Sequence, residues 1–447
     1  MNSLKSKLLY ISFIVFTLFY YSVVSAQGSF KLPNRLDKQT INFKLLSNLI
    51  ILPIEVNGKE LNFILDSGVN QSILFNLKTK DSIDLKNVKS IKLRGLGSEE
   101  PVDAIVSTGN VFKLKNILGN SQKLYVIFNN NFDLSSKVGI TIHGIIGYKL
   151  LKNFVVKINY NSKKITFYKS GVYNYSNCKK CEIFDLEFYQ NKPFIKAEVK
   201  LTNAKITPVK LLIDLGGSDA MWLFENSHPD ILSPTKYFDD FLGEGLSGAI
   251  YGKRAKIKAL IFGKFEIKNP TVSYPDSISI AFAKKFKERN GSMGGSILKR
   301  FIVTFDYKNS KISLKKGAHF KEAFRYNMSG IDLVYNGKIL VKERDNSSFS
   351  YENKQKGGNK VVIDYNYKYK FKPSYRIFKI LEGSPAYDAG LLKDDILIKV
   401  NGKYVHTMDF EEVLSNFYYK RKKKVSVTVE RNGQHHVFQF YLKNILE

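Results

Sequence analysis

Apolar positions alternate and then crowd together along residues 60–75, ELNFILDSGVNQSILF, until the run breaks at Asp66-Ser67-Gly68 and resumes at Ile73. This pattern predicts a strand, an Asp-x-Gly turn and a second strand. Residues 209–224, VKLLIDLGGSDAMWLF, repeat it: Asp214 ends the first run, Leu215, Gly216 and Ser218 fill the turn, and Trp222 and Phe224 alternate on the second strand as expected core residues. A longer repeat lies downstream of each. GIIGYKLLKNFVVKINYNSKKITF (144–167) and GSMGGSILKRFIVTFDYKNSKISL (291–314) agree at nine of 24 positions at an offset of 147, including Gly144/Gly291 and Gly147/Gly294. Both predict a glycine turn, a short helix, a strand, a Tyr-x-x-x-Lys turn and a second strand. Asp66 and Asp214 are 148 apart. Two motif pairs at nearly one spacing predict a duplication, with homologous β-rich lobes over 27–175 and 176–318.

Each lobe also carries a glycine-rich hairpin between its two motifs: Arg94-Gly95-Leu96-Gly97-Ser98 in the first, Gly243-Glu244-Gly245-Leu246-Ser247-Gly248 in the second. The second fits the G-x-G-x-x-G dinucleotide string, but AIYGKRAKIKALIF after it alternates like a strand where that motif needs a helix, so a mobile hairpin is the better reading. Residues 319–447 differ from both lobes. GSPAYDAGLLKDDILIKVNGK (383–403), a helix-like stretch at 408–418 and VSVTVERNG (425–433) closely resemble a PDZ domain. That resemblance implies binding of an extended peptide, such as a protein C-terminus, beside an edge strand, with its carboxylate held by backbone N–H groups. Ser329-Gly330-Ile331-Asp332-Leu333 best fits the carboxylate loop and the start of that strand. A polar insert, 346–360, is expected to interrupt the usual spacing.

Two Asp-x-Gly turns related by a two-fold axis would bring their carboxylates together. Like charges about 3 Å apart share a proton, and such a pair can activate a water while polarising a carbonyl, with no metal and no covalent intermediate. On these residues the chain resembles the pepsin/retropepsin aspartic proteases in their two-lobed single-chain form, followed by a PDZ domain, as in exported bacterial proteins. Asp66-Ser67-Gly68 matches D-[ST]-G; Ile145-Ile146-Gly147 matches the apolar-apolar-Gly brace, and Met293-Gly294 matches it in part, with Ser292 replacing an apolar residue. The resemblance implies a mainly β fold of two pepsin/retropepsin-like β-barrel lobes plus PDZ domain, catalysis by Asp66 and Asp214, loop support from Ser67, Gly68, Leu215, Gly216, Ser218, Gly147 and Gly294, and flaps at Gly95, Gly97, Gly245 and Gly248. It also implies a hydroxyl after each aspartate, bonded across to the opposite loop. Ser67 supplies one; Leu215 cannot.

Composition adds the setting. Lys5 and Lys7, the apolar run 8–24 and Val24-Ser25-Ala26 predict a secretory signal peptide (1–26) cleaved after Ala26, and an N-terminal anchor if cleavage fails. The expected location is the periplasm or extracellular space of a Gram-negative bacterium. The net charge of +30 fits either an acidic partner or a chain rich in residues with A/T-rich codons; basic residues scattered outside Lys420–Lys424 favour the second, so no nucleic-acid or specific membrane partner is expected. Cys178 and Cys181 are expected as a local disulfide or two thiols rather than a redox or zinc motif. The six histidines lack a serine-triad context, and neither G-x-S-x-G nor H-E-x-x-H occurs. The reading is therefore an aspartic endopeptidase acting on peptide or protein substrates, expected monomeric, without cofactor or metal. The alternatives are a catalytically weak peptide-binding adaptor on the same scaffold and, more remotely, a serine protease.

Overall fold

The computed structural model describes residues 28–447 apart from 78–81, 98–100, 129–133, 176–177, 179, 202–204, 353–361, 419–422, 445 and 447, and apart from the side chains of 346–352 and 362–366. The expected signal segment lies outside the described residues. The chain is mainly β. Sheets of nine and ten strands form the bulk of the two lobes, a six-stranded sheet takes strands from both, and another six-stranded sheet forms the C-terminal module.

Each aspartate ends a strand that is buried on both faces. Phe63, Ile64 and Leu65 precede Asp66, and Leu211, Leu212 and Ile213 precede Asp214; all six are buried. Continuous apolar runs of this kind belong in parallel pairings covered on both sides. Strand Lys59–Leu65 runs parallel to Gly144–Ile146, which is in turn antiparallel to Ser72–Leu74. Strand Ile206–Ile213 has the same relation to Gly291–Met293 and Met221–Leu223. The repeat in the sequence is thus a repeat in strand pairing.

The duplicated strands also find each other. Phe154–Asn159 pairs antiparallel with Phe301–Asp306, and Lys157 lies directly opposite Thr304. These two are equivalent positions at the offset of 147, so the pseudo-two-fold axis passes between them. Flanking strands Lys164–Lys169 and Lys311–Lys316 complete the shared sheet with Lys38–Asn42 and Glu182–Asp185. One hydrophobic core consequently runs through both lobes, joining Val156 and Ile158 to Val303 and Phe305.

The C-terminal module has its own core, including Ile331, Leu333, Phe410, Val413 and Val427. The polar insert falls at the far end of the module's first two strands, and its residues 353–360 lie outside the described residues. Ile331–Glu352 and Val362–Ile380 form one long hairpin. Cross-strand pairs hold it: Lys368–Asp345 at 2.7 Å, Lys370–Glu343 at 3.1 Å and Lys372–Glu343 at 2.9 Å. Cys178 and Cys181 form a disulfide. Of the basic run, Lys424 opens strand Lys424–Arg431, while 420–422 lie outside the described residues.

Candidate active site

The two Asp-x-Gly loops face each other across the axis. Gly68 N–H donates to Asp66 Oδ1 at 2.6 Å, and Gly216 N–H donates to Asp214 Oδ1 at 3.0 Å. A methyl group built on Gly68 would sit 3.1 Å from Asp66 Oδ1 and 3.6 Å from Asp214 Oδ1, so the carboxylates converge on one spot. A methyl group on Gly216 would overlap the Asp66 carboxylate itself. Glycine is needed at Gly216 because the partner loop's acid occupies the space, whereas at Gly68 the tightest neighbour is the loop's own Asp66 carboxylate.

The glycine braces work in the same way. Asp66 N–H donates to Ile146 O at 2.8 Å, and Asp214 N–H to Met293 O at 2.9 Å. A Cβ on Gly147 would overlap Asp66 O and lie 2.7 Å from Val69 O; one on Gly294 would overlap Asp219 O and lie 2.9 Å from Gly217 O. Even the preceding residues correspond: His143 Nδ1 accepts from Asn62 N–H at 3.1 Å, and Asn290 Oδ1 accepts from Lys210 N–H at 2.7 Å. His143 therefore has a structural task, as a loop-to-strand tie.

Across the axis the clasp is one-sided. Fully buried Ser67 donates its hydroxyl to Ile213 O at 2.6 Å and accepts from Leu215 N–H at 3.0 Å. Leu215 is 1% exposed and packs in the common core. Ser218 lines the cavity, and its carbonyl accepts from Asn48 Nδ2 at 2.9 Å.

Electrostatics follow from this crowding. Burial, and then the charge of Asp214, push Asp66 up to about 7 against the pull of the Gly68 amide and Lys192. Burial also raises Asp214, opposed by Arg289, the Gly216 and Gly217 amides and Lys192. The pair therefore holds a proton over much of the acid-to-neutral range, and which oxygen carries it is a property of the pair.

Both glycine hairpins reach the same 790 Å³ cavity as the aspartates, and their tips meet over it. Ser247 N–H donates to Leu96 O at 2.8 Å, Gly95 N–H to Ser247 Oγ at 3.2 Å, and Gly97 N–H to Ser279 O at 3.0 Å. A Cβ on Gly95 would come within 2.6 Å of Leu246 Cβ, and one on Gly97 or Gly245 would overlap the opposite hairpin's backbone. Strands Phe238–Gly245 and Gly248–Lys256 form the second hairpin, with Gly248 at φ +100°. Ser98 lies outside the described residues.

Sequence reasoning missed four features here. Trp222 is half-buried at the cavity wall rather than in the core, and its indole N–H donates to Asp219 Oδ2 at 2.9 Å; Phe224 is buried as expected. Asp219 also binds Arg254 at 3.0 Å and Ser273 Oγ at 2.7 Å, and Arg254 reaches Asp240 at 2.6 Å, tying the second hairpin to the loop after Asp214. Lys192 and Arg289 face the cavity beside the aspartates. Their only signal in the sequence is positional: Arg289 stands where the first repeat has Ile142.

The fourth feature is the place of the C-terminal module. Asp332, Leu333, Phe410 and Leu414, from its first strand and its helix Phe410–Ser415, border the same cavity. Helix Leu134–Val138 of the first lobe lies against that strand, and Lys137 binds Asp332 at 2.8 Å while its ammonium sits 4.1 Å from the Phe378 ring centre. Ser47 N–H donates to Glu411. Within the expected carboxylate loop, Ser329 N–H donates to Asn327 Oδ1 and Ile331 N–H to Ser329 Oγ, each at 3.0 Å. Two of the three amides of Ser329-Gly330-Ile331 are thus engaged by the loop's own side chains. An arriving carboxylate would have to displace them, and Gly330, at φ +80°, turns the chain between them.

A paired-carboxylate cavity between duplicated lobes, with a peptide-binding type of module at its rim, defines the class. Residues 52–150 match the aspartyl protease family, and residues 378–431 match the PDZ domain family. A search against curated proteins finds no match. The chain thus carries an aspartyl protease domain and a C-terminal PDZ domain. The lobe with Asp214 lies outside the matched residues, and its equivalence rests on the strand pairings and hydrogen bonds above.

Proposed function

We propose that this chain is an exported aspartic endopeptidase. Asp66 and Asp214 share one proton and hold a water between them. The ionised carboxylate takes a proton from the water as its oxygen attacks the scissile carbonyl, and the protonated carboxyl donates to the carbonyl oxygen. The resulting gem-diol collapses as the leaving amine is protonated. The observation that carries this reading is the convergence of the two carboxylates at one spot in a covered cavity, each oriented by the amide two residues on. The two hairpins would have to part to admit a peptide and close again to exclude water. The signal-like segment 1–26 supports a mature chain located in the periplasm or outside the cell. The PDZ module would bind peptide or protein termini and present them at the cavity it borders.

The decisive experiment is cleavage of a mixed peptide library between pH 3 and 7 by the mature protein, with Asp66→Asn and Asp214→Asn alongside. Loss of turnover in both variants and inhibition by a pepstatin-like compound are expected. Turnover that survives either substitution, or that a chelator or serine reagent abolishes, overturns the dyad. One observation favours a second reading, a peptide-binding scaffold of low activity: the cross-lobe clasp is made by Ser67 alone. Peptide binding without cleavage at any pH would establish it.

A further inference from the structure

On the wall beside Asp214 the duplicated lobes stop matching. Where the first lobe has Ile142 and Ile145, the second has Arg289 and Ser292. Arg289 is only 6% exposed yet faces the cavity. Its Nε donates to Gly291 O at 3.1 Å, its Nη2 donates to Ser292 Oγ at 2.6 Å, and the guanidinium lies 5.0 Å from the Phe224 ring centre. These contacts fix the group and use two of its five donors. Half-buried Lys192, the first residue of strand Lys192–Lys200, faces the same space.

Among the described residues, neither cation has a carboxylate within 4 Å, whereas Lys137 and Arg254 in the same cavity are paired, Lys137 with Asp332, and Arg254 with Asp219 and Asp240. A buried guanidinium without a paired anion is costly, so an anionic ligand beside it would offset that cost. The nearest candidates are the two aspartates, but a proton-sharing pair offers one negative charge to two cations. One positive charge is left for a ligand.

We infer that Lys192, Arg289 and Ser292 form a cationic subsite that receives an Asp or Glu side chain of the substrate next to the scissile bond. The inference rests on the peptidase reading and names its substrate class. Arg289 presents its free donors as a fork suited to a carboxylate, and Lys192 adds a point charge. The apolar wall of the first lobe, at Ile145, would take an uncharged neighbour on the other side of the bond.

The test uses peptides blocked at both ends, so that a side chain is the only source of carboxylate, with Glu, Gln or Leu placed at each position flanking the cleavage site. At one position, wild type is expected to prefer Glu to Gln in kcat/KM by on the order of ten- to hundred-fold. Arg289→Met and Lys192→Met should each bring that ratio toward one. The ratio within a single variant cancels any effect on the aspartates. If Arg289→Met does not fold, Lys192→Met carries the test, since its side chain is only half-buried. Equal cleavage of Glu and Gln peptides overturns the subsite and leaves the peptidase standing. If no peptide is cleaved, the peptidase reading fails, and calorimetric titration of the same peptides still decides: tighter binding of Glu, weakened by Lys192→Met, supports the subsite, and equal binding refutes it.

Discussion

Ser67→Ala isolates the clasp between the lobes. The hydroxyl is fully buried, donates to Ile213 O at 2.6 Å and accepts from Leu215 N–H at 3.0 Å. Alanine removes both bonds and leaves a buried amide and a buried carbonyl unpaired. Each orphaned group costs about 1–3 kcal/mol, with the amide at the upper end because it has a single hydrogen to place. The change in volume is one oxygen, so packing adds little. The expected loss is therefore about 2–4 kcal/mol, which for the roughly 290 residues of the two lobes, at about 2.1 cal/mol/K of unfolding entropy per residue, corresponds to a fall in Tm on the order of 3–7 °C. Guanidinium unfolding with the wild-type m-value held gives the number directly. Peptide turnover should fall further than stability predicts, because the clasp sets the spacing of the carboxylates. A loss below about 0.5 kcal/mol would mean that the loops do not depend on each other, and the account of the axis would be wrong.

Other outcomes follow from the same loops. Asp66→Asn should abolish cleavage, by roughly 10³-fold or more, yet raise stability at pH 7 by removing one of two crowded carboxylates; unchanged or lower thermal stability would contradict the burial argument. Because Asp66 is raised to about 7, the folded chain keeps a proton that the unfolded chain releases above about pH 4. Stability should thus be highest near pH 4 and decline as pH rises to about 7, and this slope should flatten in Asp66→Asn. Leu215→Thr could restore the second hydroxyl, but it gives up a packed side chain worth about 2–3 kcal/mol for two hydrogen bonds of about 1 kcal/mol each. A small net destabilisation, read from the guanidinium midpoint, is expected, and a gain would show that the leucine is poorly packed. Gly147→Ala drives a methyl into Asp66 O and should cost roughly 3 kcal/mol or more; a stable variant would mean that the brace is looser than described.

The duplicated scaffold was legible because its signals are local and recur: a strand ending in Asp-x-Gly, and a glycine brace at almost the same offset. The C-terminal module was legible from one dense run, 383–403. The long hairpin was not, because the polar insert hides alternation behind lysine and asparagine, and only cross-strand partners from Glu343 to Lys372 make it a ladder. Trp222 read as core from its alternation with Phe224, since the sequence does not reveal that one face of that strand opens on a cavity. Arg289 was overlooked because a lone arginine before an Asn-Gly turn has no local signature. It stands out only when the repeats are aligned and Ile142 faces it.

The pairing of Lys157 with Thr304 says something about how such a site can change. In a symmetric dimer of single lobes, this strand would meet its own copy at that point, and each substitution would appear on both sides of the axis. Joining the copies in one chain lifts that constraint. One loop keeps serine after its aspartate while the other takes leucine; one wall stays isoleucine while the other gains a guanidinium. A homodimer could acquire that arginine only in duplicate, with one guanidinium on each side of the axis and more positive charge than a singly ionised carboxylate pair can balance. Fusion lets the two halves of the cavity differ, so that a peptide can be read with a direction.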